Sequence, residues 1–330
     1  MEVMLYPLKF KPILKSQIWG GDRLVKAGKR LPAKLSAAAG SIGESWEISG
    51  VEGDVSVVSN GFLKSNNLEE ITEVYMGDLV GEKVYDTYGL EFPVLVKFID
   101  AHDVLSVQVH PNDDYALSRE NEYGKNEMWY ILEHEEGAEI YCGFNRDVTR
   151  EEVMRALADG SILSLLNRVP VKTGEAYYIP AGTVHAIGKG AVICEIQQSS
   201  NCTYRLYDYD RTDHYGNKRP LHVEKALEVM DFSRYEVPQF KDELIRKDSY
   251  VCRILSRCKY FECMSFQISG KTELPAYPDS FCSLLCVKGS GTLSGRDEKS
   301  AFRAGDSFFL PCSKERLKVE GDCELILTHV

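Results

Sequence analysis

No stretch of this 330-residue chain stays apolar for the ~20 residues that a membrane-spanning helix needs. Met1 to Lys11 lacks the apolar core and small-residue cleavage site of a signal peptide, so the expected location is cytoplasmic. Positive charge is in deficit, with 39 Lys and Arg against 50 Asp and Glu and a net charge of -11. That balance argues against nucleic acid or an anionic membrane as a partner. A small anionic substrate stays admissible, because a local cluster of cations outweighs a diffuse negative field. No two cysteines form a C-x-x-C pair, which argues against a zinc knuckle or a thioredoxin-type site. Several of the ten cysteines stand inside apolar runs, such as Cys282 and Cys286, and are expected to be reduced core thiols.

What the chain does have is many short β-type runs punctuated by Gly, Pro, Asn and Asp. The length suits two domains. Strands are expected at Phe92–Ile99, Leu105–His110, Glu127–Leu132, Ala138–Tyr141, Ala176–Ile179 and Ala191–Gln197. More follow at Cys252–Leu255, Tyr260–Ile268, Ser283–Val287, Ser307–Leu310 and Glu324–Leu327. Such a pattern reads as an all-β sandwich or closed barrel. Helical signals are few. The best is Arg150–Leu166, introduced by the capping-box spacing of Thr149 and Glu152, with a shorter helix at Val223–Val229. Asp231–Phe240 reads as a linker. The expected division is a catalytic domain over 1–235, with a helical insertion near 146–168, and a second domain over 236–330.

A weak internal repeat supports two copies of one barrel. Gly174 and Pro180 in GEAYYIP have the same separation as Gly305 and Pro311 in GDSFFLP. Five residues after the first proline stands His185; five after the second stands Arg316. A metal held by only one copy would account for the difference. Phe308 and Phe309 are adjacent on their strand, so one should fill that copy's core and the other face a neighbour. Gln108 and His110 share one strand face, and Glu127 opens another strand. Gln, His, Glu and His form a thiolate-free N/O set suited to zinc in an open site, with manganese, iron or cobalt as substitutes. His102, His134, His214, His222 and His329 lack such a constellation and read as structural.

The spacing G-x5-P-x-G-x2-H from Gly174 to His185 resembles the second motif of cupins, and Q-x-H a variant of their first. Glu127 lies 17 residues past His110, a stretched first motif that resembles the type I mannose-6-phosphate isomerases. The likeness extends through IWGG (Ile18–Gly21), GESWEIS (Gly43–Ser49), PVLVKFIDA (Pro93–Ala101), LSVQVHPND (Leu105–Asp113) and KNEMWYIL (Lys125–Leu132). It continues through YIPAGTVHAI (Tyr178–Ile187) and EIQQSSNCTYRLYDYDR (Glu195–Arg211). The resemblance implies two cupin-type jelly-roll barrels, the second degenerate and metal-free. It implies reversible interconversion of mannose 6-phosphate and fructose 6-phosphate with one zinc per chain, feeding GDP-mannose supply. Carried over by motif, the ligands are Gln108, His110, Glu127 and His185, and Arg205 is an active-site arginine.

Isomerisation moves a proton between C1 and C2 through an enediol, so the site must hold oxyanion charge and shuttle a proton. Arg205 stays charged and suits the first task. Lys97 and Ser106 are expected at the phosphate. Lys125, Glu44, Asp208 and a metal-bound hydroxide are all admissible as the base, and Glu44 could also bind substrate. Two other readings compete: an iron-dependent cupin oxygenase, and a sugar-binding protein that kept the scaffold without catalysis. Monomer and homodimer are both open.

Overall fold

The computed structural model describes residues 5–213, 215–238, 244–295 and 299–330. His214 and the last two residues of the expected linker lie outside them. Three antiparallel sheets dominate. The first region supplies β1 (Ile13–Gly21), β2 (Ile42–Ile48), β3 (Val94–Asp100), β4 (Val107–Val109), β5 (Glu127–His134) and β6 (Glu139–Phe144). It continues with β7 (Leu166–Pro170), β8 (Ala176–Ile179), β9 (His185–Ile187), β10 (Ala191–Gln198) and β11 (Tyr204–Tyr207). One sheet runs β1-β2-β3-β10-β5-β8 and a second runs β11-β4-β9-β6-β7. The C-terminal region adds β12 (Leu244–Arg246), β13 (Tyr250–Arg257), β14 (Glu262–Leu274), β15 (Cys282–Ser294), β16 (Lys299–Arg303), β17 (Ser307–Leu310) and β18 (Leu317–His329). These pair in the order β12-β13-β14-β18-β15-β16, with β17 also on β15.

Alternation along the central strands explains the layering. On β10 every residue is buried, because both faces of its sheet are covered. Cys194 and Ile196 point with Val96, Phe98 and Met128 into one large core, while Ile193 points the other way, with Ile99 and Trp129. The outer face of the second sheet is covered by helices Arg150–Ala158 and Val223–Val229, through Val153, Ala156, Ala226 and Leu227. The large core also takes in Leu8, Phe10 and helices Leu68–Val80 and Glu82–Tyr88, then crosses into the C-terminal sheet at Phe281, Leu285, Phe309 and Ile326. Phe308 points to that sheet's other face, among Phe266, Leu284 and Leu325. One phenylalanine fills the local core and the next joins the two regions, as the strand period requires. Phe309 stands 5.2 Å from Phe281 and 5.9 Å from Phe92, centroid to centroid.

Two expectations are corrected. Among the described residues no sheet closes into a barrel; each keeps open edges. The β1–β2 and β11–β4 pairings at those edges are interrupted by bulges, which end pairing locally. The helix expected to reach Leu166 stops at Ala158. Thr149 and Glu152 form the capping box, but Gly160, at φ 76°, turns the chain into a 3-10 segment over Ile162–Leu165. Helices Leu68–Val80 and Asp113–Arg119 were not foreseen. The second, with Asn112 capping the Tyr115 N–H, occupies the long interval between His110 and Glu127. All ten cysteines are free thiols. No helix among the described residues is long and apolar enough to cross a membrane.

Candidate metal centre

Four side chains from both sheets of the first region meet between them. Gln108 on β4 is directly opposite His185 on β9, and His110 follows the end of β4. Glu127 comes from β5 of the facing sheet. His110 Nδ1 lies 2.9 Å from the Cys202 carbonyl, and His185 Nδ1 lies 2.8 Å from the Thr183 carbonyl. A carbonyl only accepts, so each Nδ1 carries the proton and each Nε2 presents a lone pair. Those lone pairs point at Glu127. His110 Nε2 is 3.1 Å from Glu127 Oε1, His185 Nε2 is 3.8 Å from Oε2, and Gln108 Nε2 is 3.3 Å from His185 Nε2. His110 Nε2 makes no hydrogen bond although the residue is only 1% exposed, and the Glu127 Oε1 it faces has Lys125 Nζ as its nearest cation.

Buried lone pairs facing a carboxylate repel unless a cation lies between them. Donors at about 2.1 Å from a tetrahedral zinc stand roughly 3.4 Å apart, close to the spacings here. The residues therefore fit a divalent ion. Half a turn of the Gln108 amide presents its carbonyl oxygen, the atom a cation takes. Burial, with Lys125 adding to it, pushes the His110 imidazole down to about 3, so it stays a neutral ligand. Burial alone would raise the Glu127 carboxyl, but Lys125 and the two histidines outweigh it and hold it well below the usual range. Among the described residues, no other cluster of His, Cys, Asp or Glu has this form. His134, His222 and His329 lie elsewhere, beside Thr173, Arg205 and Tyr277.

Gln108 and Glu127 border a polar cavity of about 380 Å³ whose wall includes Glu44, Lys97, Ser106, Lys125 and Arg205. Lys97 Nζ is 2.8 Å from Glu195 Oε1 and 3.8 Å from Glu44 Oε2. Burial would lower the Lys97 ammonium, but the facing carboxylates outweigh it and raise it, so it is charged. Glu44 also accepts from Trp46 Nε1 at 2.6 Å and Gln17 Nε2 at 3.0 Å. Arg205 Nε on β11 donates at 3.3 Å to Ser106 Oγ, just ahead of the neighbouring strand β4 of the same sheet. Lys125 Nζ lies 3.0 Å from Glu127 Oε1. Asp208 is tied to Arg211 and Arg219, each at 2.6 Å, which overcome burial and hold its carboxyl low. Asp208 thereby anchors both arginines.

Glu195 was missed. It is buried, accepts from Trp129 Nε1 at 2.9 Å, and faces the cavity beside Lys97. Burial, then the Glu127 charge, raises its carboxyl. Its signal was present: a single charge within the apolar run AVICEIQ must be paired or functional.

A buried two-histidine, one-carboxylate set between facing sheets, beside a cavity lined by cations and carboxylates, marks a mostly β protein with a candidate metal-binding active site. Residues 7–146 match the family description "Phosphomannose isomerase type I, catalytic domain", and 251–330 match "Mannose-6-phosphate isomerase, cupin domain". The chain is 38% identical to mannose-6-phosphate isomerase ManA of Bacillus subtilis, over 98% of this chain and 99% of that protein. It is 37% identical to the Streptococcus mutans mannose-6-phosphate isomerase, over 99% of each. The crystal structure of the B. subtilis enzyme superposes with a TM-score of 0.89 at 33% identity, covering 99% of this chain and 100% of that one. A mannose 6-phosphate isomerase bound with zinc and yttrium shares the fold, with a TM-score of 0.77 at 16% identity over 98% and 99%. The chain belongs to the type I mannose-6-phosphate isomerase family, and it is an isomerase.

Proposed function

We propose that this chain interconverts mannose 6-phosphate and fructose 6-phosphate through an enediol, with zinc held by Gln108, His110, Glu127 and His185. Zinc would supply Lewis-acid stabilisation of the sugar oxygens at C1 and C2. The observation that carries the reading is the pair of Nε2 lone pairs turned on Glu127 at the edge of a charged cavity. A relative bound with zinc supports the choice of ion.

The charges around the cavity support a phosphorylated substrate. Lys15, Lys97, Lys125, Arg205 and Arg219 outnumber Glu44, Asp54, Glu127 and Glu195 by one along its wall, and a divalent cation would raise the positive excess to three. A phosphate monoester brings nearly two negative ones. We assign the phosphate to Ser106 and Lys97, with Arg205, fixed on Ser106, holding negative charge on the sugar or its phosphate. Glu44 accepts from a sugar hydroxyl. The raised Glu195 carboxyl suits it as the group that takes the proton from one of C1 and C2 and delivers it to the other, and Lys125 as the group that moves the hydroxyl proton between O1 and O2. The division proposed is a catalytic region over 1–235 and a metal-free cupin region over 236–330, with supply of GDP-mannose precursors as the metabolic role. A coupled assay on mannose 6-phosphate, run in both directions, tests the reading. Turnover both ways is expected; a folded, zinc-loaded protein inert on both sugars would sink the substrate assignment.

A further inference from the structure

We propose that Glu47 is a positioning residue, through which the C-terminal sheet sets the sugar-facing wall of the cavity. Strand β2 does not pair evenly with β3. Trp46 stands opposite Lys97 and Ile48 opposite Val96, so Glu47 is the extra residue of a bulge. A bulge re-aims the side chains around it and recurs beside active sites. Before it, Glu44 and Trp46 look into the cavity; Glu47 looks the opposite way and is fully buried.

A buried carboxylate persists only if its oxygens are fully engaged. Here three separate segments engage them. Lys29 Nζ lies 2.6 Å from Oε1, Ser45 Oγ donates to the same oxygen at 2.5 Å, and Ser307 Oγ on β17 donates to Oε2 at 2.8 Å. Lys29 Nζ also donates to the Gly305 carbonyl at 2.6 Å and sits 4.9 Å from the centre of the Phe98 ring. The GDSFFLP turn of the C-terminal region thus grips the bulge from behind. In the metal-bearing copy the equivalent turn leads to a ligand; here it leads to a clamp. The clamp fixes the bulge, the bulge fixes the direction of Trp46 and Glu44, and Glu44 reaches Lys97. Glu47 touches no substrate and acts only through these two.

The proposal rests on the reading of Glu44 and Lys97 as the substrate wall, which Glu44→Gln tests by itself. Glu47→Gln alone would strand the buried Lys29 charge, so the decisive variant is the pair Glu47→Gln with Lys29→Met, beside the milder Ser307→Ala. Each is measured for melting temperature, bound zinc, and kcat and KM on mannose 6-phosphate. The expected result for the pair is a folded protein with the parent's zinc content and kcat/KM lowered by about 10- to 100-fold, chiefly in KM. Ser307→Ala should move KM in the same direction by less. A lower melting temperature with kcat and KM unchanged overturns the proposal, because the clamp is then structural only. Loss of zinc along with activity overturns it too. If Glu44→Gln is without effect, the wall assignment fails instead.

Discussion

The two halves of the molecule share one punctuation and put it to different uses. In the first, the turn at Gly174 leads through Pro180 to His185, 1% exposed and facing Glu127. In the second, the turn at Gly305 leads through Pro311 to Arg316, whose side chain is 69% exposed and only 4.0 Å from Glu273. The first copy has both faces of its central sheet covered, and the polar groups at its centre are therefore costly unless they bind something. The second faces the first with Phe281, Leu285, Phe309 and Ile326, and its chemistry lies in packing. A duplicated scaffold can keep its turns and its core alternation while losing its ligands. Fold and site answer to different residues.

Substitutions should sharpen that contrast, the largest effect first. His185→Ala removes a ligand and should lower kcat/KM on the order of 10³-fold, with loss of bound zinc, if the ion contributes about 4 kcal/mol to the transition state. Near-parent activity with zinc retained would break the comparison. Lys97→Met leaves Glu195 buried without its 2.8 Å partner and should cost about 3–5 kcal/mol of stability as well as activity. Denaturant melts of the metal-free protein would show it. Phe309→Ala opens a cavity in the core shared by both regions, at a cost of about 3–5 kcal/mol. Intrinsic Trp fluorescence should report one transition at lower denaturant; an unchanged transition would mean the regions do not share that core. Arg316→Ala should stay within about 1 kcal/mol, since exposed pairs contribute little, and should leave turnover at the parent's level.

Much of the site was legible because it is written in local spacing. Gln108 and His110 share a strand face, and the Gly–Pro–His spacing sets the turn before His185; both rules are short-range. The partners that fix the imidazoles, Cys202 and Thr183, act through backbone carbonyls and leave no mark in the sequence. Glu195 did leave one, but its pairing with Lys97 depends on β10 lying beside β3. The fold was less legible where polarity hides a strand. β15 is buried over Cys282–Cys286 and then only at Leu293, so its Gly- and Ser-rich end does not read as strand. The helix Leu68–Val80 has a capping box at Asn67 and Glu70, yet the break at Met76 spoils its periodicity. The barrels expected from many short strands became open sheets, since closure depends on edge register, which strand content alone does not determine.

The central claim is that the first region's metal drives the isomerisation. Its most direct test is turnover of mannose 6-phosphate by the full chain before chelation, after chelation, and after zinc is returned. The account predicts activity lost with the metal and restored by zinc. Turnover that persists in the stripped protein would contradict it.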